Sequence, residues 1–184
     1  MRRGAITGRT PHVLSLVARR AAQAGFTLIE LLVTISIVAI LAAIAVPSFN
    51  EIALSSKLTS LSNSFMASAQ LARSEAIKRN RSVILCASSN GSTCTGTWSG
   101  GWVVVLTDGT GTVVNSQPAL PNGFLMSEAN GLTSIVFQPT GVGATFSTLT
   151  LCRATPTPGD QKRTIQIDAT GRSDVTRDPA TTCP

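Results

Sequence analysis

One carboxylate, four cysteines and a few cations are the side chains whose types and spacing could do chemistry in this chain. The carboxylate is Glu30, near the start of the run Gly25 to Asn50, GFTLIELLVTISIVAILAAIAVPSFN. A charged side chain in hydrocarbon is expensive and is kept only where it finds a partner. A cut between Gly25 and Phe26 would supply one. The new α-ammonium of Phe26 would lie one helical turn from Glu30, within reach of the carboxylate of a like helix alongside. The pattern implies a subunit of a helical filament that is stored in a membrane.

The cysteines, Cys86, Cys94, Cys152 and Cys183, all fall beyond the apolar run. Even number and placement outside the cytoplasm favour disulfides. Three connectivities are open to four cysteines. The expected pairs are Cys86–Cys94, closing a Ser/Asn/Gly/Thr loop, and Cys152–Cys183, stapling the tail. No CxxC spacing accompanies them, so no metal is expected. Catalysis finds no support either. The single histidine, His12, precedes the presumed cut, there is no tyrosine, and no GxSxG or GxxxxGK[ST] occurs. No paired acid and base stand out, and no cofactor is implied.

Net charge is +6, but Arg2, Arg3, Arg9, Arg19 and Arg20 all lie before the cut and leave the remainder at +1 by side chains. Those arginines fit a leader held in the cytoplasm while the C-terminal part crosses. The apolar core follows the cleavage position rather than preceding it, so it stays in the mature chain.

These groups must be positioned by a helix and a sheet. The apolar run from Phe26 to Phe49 has the length to cross a bilayer. Pro47 is expected to kink the helix or end its first section. Beyond it Leu54, Leu58, Leu61, Phe65, Ala69, Leu71 and Ala72 recur at helical spacing, so the helix becomes amphipathic and ends near Lys78-Arg79-Asn80. Strands are expected at Ser82–Cys86, Gly101–Leu106, Thr112–Asn115, Thr133–Gln138, Thr145–Cys152, Arg163–Ala169 and Asp174–Thr176, with a hairpin turn at Asp108-Gly109. Pro118, Pro121-Asn122-Gly123, Pro139-Thr140-Gly141 and Pro156-Thr157-Pro158-Gly159 punctuate them. The result is an α+β chain, a long N-terminal helix, transmembrane then amphipathic, packed on a C-terminal antiparallel β-sheet domain. Its expected segments are a leader at 1–25, a transmembrane helix at 26–49, an amphipathic helix at 50–80 and a periplasmic β-rich domain at 81–184.

Gly25-Phe26-Thr27-Leu28-Ile29-Glu30-Leu31-Leu32, the aliphatic run and Pro47 resemble the class III signal of type IV prepilins and type II secretion pseudopilins. The resemblance implies cleavage after Gly25 by a prepilin peptidase, N-methylation of Phe26, and an assembly role for Glu30. Ala69-Gln70-Leu71-Ala72-Arg73-Ser74-Glu75-Ala76 is similar to the matching stretch of the FimT/FimU minor pilins. So are Leu85-Cys86, Gly101-Trp102-Val103-Val104 and Phe137-Gln138-Pro139-Thr140-Gly141. These proteins share a domain with the secretion pseudopilin GspH. The likeness implies a pilin-like fold and a low-abundance subunit that primes or caps a pilus or pseudopilus. The implied partners are other minor and major pilins or pseudopilins, the peptidase and an inner-membrane assembly platform. The cysteines and the Trp98–Trp102 stretch look more like the pilus branch, and both tryptophans read as loop and core packing.

In some FimT-type proteins a C-terminal Gly-Arg-x-Arg motif is implicated in DNA uptake. This chain has Gly171-Arg172-Ser173-Asp174, with aspartate in place of the second arginine. Lys162, Arg163, Arg172 and Arg177 remain as a candidate phosphate-binding patch, and DNA as an alternative partner. Asp160, Asp168, Asp174 and Asp178 interleave with the cations, which favours a mixed-charge solvated face.

Overall fold

The computed structural model describes residues 25–155, 159, 161–180 and 182–183. The leader with His12, the Pro156-Thr157-Pro158 turn and Asp160 lie outside the described residues. The chain divides into two units between Ala43 and Ile44. Helix α1 (Leu28–Arg79) contributes to both.

In the first unit α1 begins with Thr27 as its cap. The Thr27 hydroxyl accepts the Glu30 N–H at 3.2 Å, and the Thr27 carbonyl accepts from Leu31. Threonine three residues before glutamate is the spacing of a capping box, and the carboxylate also suits the positive end of the helix dipole. Every large apolar side chain of α1 in this unit is exposed, from Leu28 to Leu41.

Pro47 does not end a helical section, because α1 runs through it without interruption. Its ring nitrogen withholds one donor, the bond that would reach back four residues to Ala43, where the first unit ends. From Leu54 onward Leu58, Leu61, Phe65, Ala69, Ala72 and Ala76 form a buried stripe. The helix stops at Asn80, which adopts φ 52°. The N–H of Asn80 bonds the Ile77 carbonyl and that of Arg81 the Ala76 carbonyl, a Schellman closure with asparagine in the left-handed position.

Eight strands are described after α1, in two four-stranded antiparallel sheets. The first contains β1 (Val83–Ala87), β2 (Trp102–Leu106), β3 (Val113–Gln117) and β5 (Ser134–Phe137), ordered β3-β2-β1-β5. The second contains β4 (Phe124–Glu128), β6 (Ser147–Arg153), β7 (Lys162–Ile167) and β8 (Ser173–Asp178), ordered β4-β6-β7-β8. The expected strands reappear within a few residues, but β4 has no counterpart among them. Phe-Leu-Met-Ser-Glu holds no β-branched residue, so propensity does not mark it. Pairing with β6, from Phe124 opposite Arg153 to Glu128 opposite Leu149, makes it a strand.

The helix stripe and both sheets share one core. At its centre the Phe65 ring meets Trp98 and Trp102 edge-on, with centroids 5.6 and 5.3 Å apart. Both tryptophans are buried, and both indoles find acceptors. Trp98 donates to the Leu132 carbonyl at 2.7 Å and Trp102 to the Ser68 hydroxyl at 2.9 Å. Cys86 is bonded to Cys94 and Cys152 to Cys183, with Cα separations of 5.4 and 5.7 Å. The first bridge closes the loop after β1, and the second ties the tail beyond β8 back to β6.

Candidate assembly segment and basic face

Gly25, Phe26 and Glu30 stand together at the start of the described chain. Phe26 is 82% exposed, and a Cβ added at Gly25 would meet nothing within 4 Å. Substitution at Gly25 therefore carries no local steric cost. Glu30 is exposed on the first turn, with its backbone N–H tied to Thr27. Its carboxylate has no hydrogen-bond or ion-pair partner among the described residues. A window of this helix reaches a mean hydropathy of 2.7 with none of its residues buried. A helix this apolar and this uncovered needs lipid or like helices around it.

The stretch Ala69 to Ala76 has structural work of its own. Its alanines let the sheets approach closely. Arg73 reaches across both turns that face it, donating from Nε to the Gly141 carbonyl at 3.0 Å and from Nη1 to the Gly171 carbonyl at 3.5 Å. Gly171 has φ 75°, and a Cβ there would press on Arg73 Nε at 3.2 Å, so this turn needs glycine. Glu75 accepts from Arg79 at 2.6 Å and Lys78 at 3.5 Å. The Arg79 bond is the main reason its carboxyl is held below the usual range.

The four candidate cations do not share one face. Lys162 and Arg163 are neighbours on β7, and neighbours on a strand point to opposite faces. Arg163 turns inward and is only 5% exposed. It donates to the Gln161 side chain at 3.1 Å, the Ser55 hydroxyl at 3.1 Å and the Thr59 hydroxyl at 3.2 Å. Burial, then the nearby Arg177, lowers its pKa. A guanidinium spent on the helix is not offered to a phosphate backbone. Lys162 lies opposite Asp178 in the β7–β8 register. Arg172 shares a small polar pocket of about 200 Å³ with Gln166, Asp168 and Asp174. The Asp168 carboxyl is held low, first by the Thr170 hydroxyl and also by the Arg172 and Thr170 backbone N–H groups. Lys162 and Arg172 thus stand near carboxylates, while Arg177 lies opposite the buried Arg163, which blunts any common field. The separation of Lys162 from Arg163 follows from a strand that begins one residue before the expected start at Arg163, with period-two alternation.

One buried group carried no sequence signal. Glu128, at the end of β4, accepts the N–H groups of Asn130 at 2.7 Å, Leu132 at 2.9 Å and Thr148 at 3.3 Å, and the Ser147 hydroxyl at 3.2 Å. Burial works to raise its pKa, but these four donors outweigh it and hold the carboxyl below the usual range.

The model of the type II transport protein GspH matches residues 61–171, more than half of the chain. This chain belongs to that family. The prokaryotic N-terminal methylation motif matches residues 20–46, which include Gly25, Phe26 and Glu30. Among solved structures, the chain is similar to the type IV minor pilin FimU of Pseudomonas aeruginosa, with TM-score 0.54 and 22% identity over 69% of this chain and 100% of that one. It is also similar to the minor pseudopilin EpsH of the Vibrio cholerae type 2 secretion system, with TM-score 0.50 and 13% identity over 65% of this chain and 96% of that one. At these identities the two structures establish the pilin-like fold. No curated protein sequence matches the chain.

Proposed function

We propose that this chain, a minor pilin or pseudopilin of a type IV pilus or type II secretion system, primes or caps its filament and has no catalytic activity of its own. Its leader faces the cytoplasm and its β-rich domain the periplasm. A prepilin peptidase cuts after Gly25 and methylates Phe26. The subunit then leaves the inner membrane by way of the assembly platform and joins other pilins or pseudopilins. In the filament the Glu30 carboxylate neutralises the Phe26 ammonium of an adjoining subunit.

The observation that carries this reading is an apolar helix within a methylation motif, whose carboxylate, four residues after Phe26, has no partner among the described residues. A charge-assisted bond of this kind is worth ~1.5–3 kcal/mol. The test uses cells with an active peptidase, in which processing and filament incorporation are both measured. Gly25→Ala should leave the extracted chain starting at Met1 by mass spectrometry. Glu30→Ala should be processed, yet enter filaments about tenfold less. Normal processing of the glycine variant would contradict the cleavage assignment.

A further inference from the structure

A groove of about 460 Å³ lies within the second unit, between α1 and the outer edge of the β4-β6-β7-β8 sheet. Glu51, Ile52, Ser55 and Thr59 line it from the helix, and Gln161 and Arg177 from the sheet side. Among the described residues neither the Glu51 carboxylate nor the Arg177 guanidinium has an ion-pair partner. Arg163, on β7, donates to the Ser55 and Thr59 hydroxyls of the helical wall. It is directly opposite Arg177 on β8, so the two cations share one face of the sheet. Like charges in that position repel, and an anion in the groove would relieve the repulsion.

The approach to the groove is apolar. Ile44, Val46, Phe49 and Ile52 are exposed on the part of α1 that leads to it, and Ile52 also lines it. Within about one helical turn this surface gives way to a carboxylate, hydroxyls and a guanidinium. That polarity profile matches the boundary between hydrocarbon and headgroups.

We infer that the groove binds a phospholipid headgroup carrying a phosphate and a primary ammonium, with the phosphate on Arg177 and the ammonium on Glu51. The inference rests on the membrane-stored state proposed above. It adds a lipid class to that state: phosphatidylethanolamine is held, whereas phosphatidylcholine, whose quaternary ammonium has no N–H, lacks the bond to Glu51.

The test incorporates the full chain into nanodiscs containing equal parts of phosphatidylethanolamine, phosphatidylcholine and phosphatidylglycerol. Complexes are released into mild detergent, and retained lipids are counted by native mass spectrometry. The wild type should retain phosphatidylethanolamine about fivefold over phosphatidylcholine. Arg177→Ala, which removes the phosphate contact common to all three lipids, should lower the retention of each about fivefold. Glu51→Gln should keep phosphatidylglycerol while the ethanolamine-to-choline ratio falls to about one. Unchanged melting temperatures establish that both variants are folded. Equal retention of the three lipids by the wild type, or unchanged retention by Arg177→Ala, overturns the inference while the membrane reading stands. Displacement of the lipid by inorganic phosphate assigns the groove to a soluble anion and overturns it too. Failure of the wild type to enter nanodiscs overturns the membrane reading, and this inference with it.

Discussion

The two stretches of α1 on either side of Pro47 are built from similar apolar residues and behave in opposite ways. Between Leu28 and Leu41 no large side chain is covered, and apolar residues occur all round the helix. Between Leu54 and Ala76 most of them fall in one stripe, and that stripe is buried. A stripe can be satisfied within one chain, because a sheet covers one side of a helix. A helix apolar on every side can be satisfied only by surroundings on every side, which means lipid or like helices. The difference separates the stretch of helix covered by its own chain from the stretch left uncovered.

The sharpest way to break this comparison is to truncate one side chain in each stretch. Phe65→Ala removes the ring between Trp98 and Trp102 and should cost ~3–5 kcal/mol in denaturant unfolding of the detergent-solubilised chain. Leu41→Ala, in the uncovered stretch, should change that value by less than ~0.5 kcal/mol. Equal effects would mean that Leu41 is packed within the chain after all.

A smaller effect is expected at the tail. Cys152→Ser with Cys183→Ser opens a bridge spanning 31 positions and should lower stability by ~3 kcal/mol, read as a fall in melting temperature.

Acid supplies a third measurement. The Glu128 carboxyl has a folded pKa below its ordinary value of 4.5. Its contribution is therefore fully present above pH 4.5 and disappears as pH falls through the lower, folded value. Glu128→Gln should flatten the stability profile in that acid range and lower the plateau at pH 7. An unchanged acid limb would show that other carboxylates set it.

The smallest expected effect is at Arg172, whose surroundings include Asp168 and Asp174. Arg172→Ala should leave both gel-shift affinity for duplex DNA and its salt slope unchanged. A slope reduced by about one would restore the arginine to a phosphate-binding role.

Much of the helix was legible because its signals are local. The burial stripe from Leu54 to Ala72 follows the helical period, and the end near Asn80 follows from a left-handed asparagine after two cations. The Thr27 cap was equally open to reading, since threonine just before an apolar helical run is a start signal. β4 was not legible, since its residues favour a helix as readily as a strand and only β6 decides between them. The basic face was half legible. The residue types suggested anion binding, and the alternation of β7 removes Arg163 from the surface.

From residue order alone came the span-length apolar helix, the carboxylate four positions after Phe26, the amphipathic continuation and the α+β character. Each depends on spacings of a few residues, which the chain carries wherever it goes. The tertiary structure decided the division into two sheets, the choice of Cys86–Cys94 and Cys152–Cys183 among three pairings, and the meeting of Arg177 with Glu51 in one groove. Those outcomes join positions as far as 126 residues apart, from Glu51 to Arg177. Only strand register and helix packing bring such positions together, because the free energy of long-range contacts is settled collectively by the core.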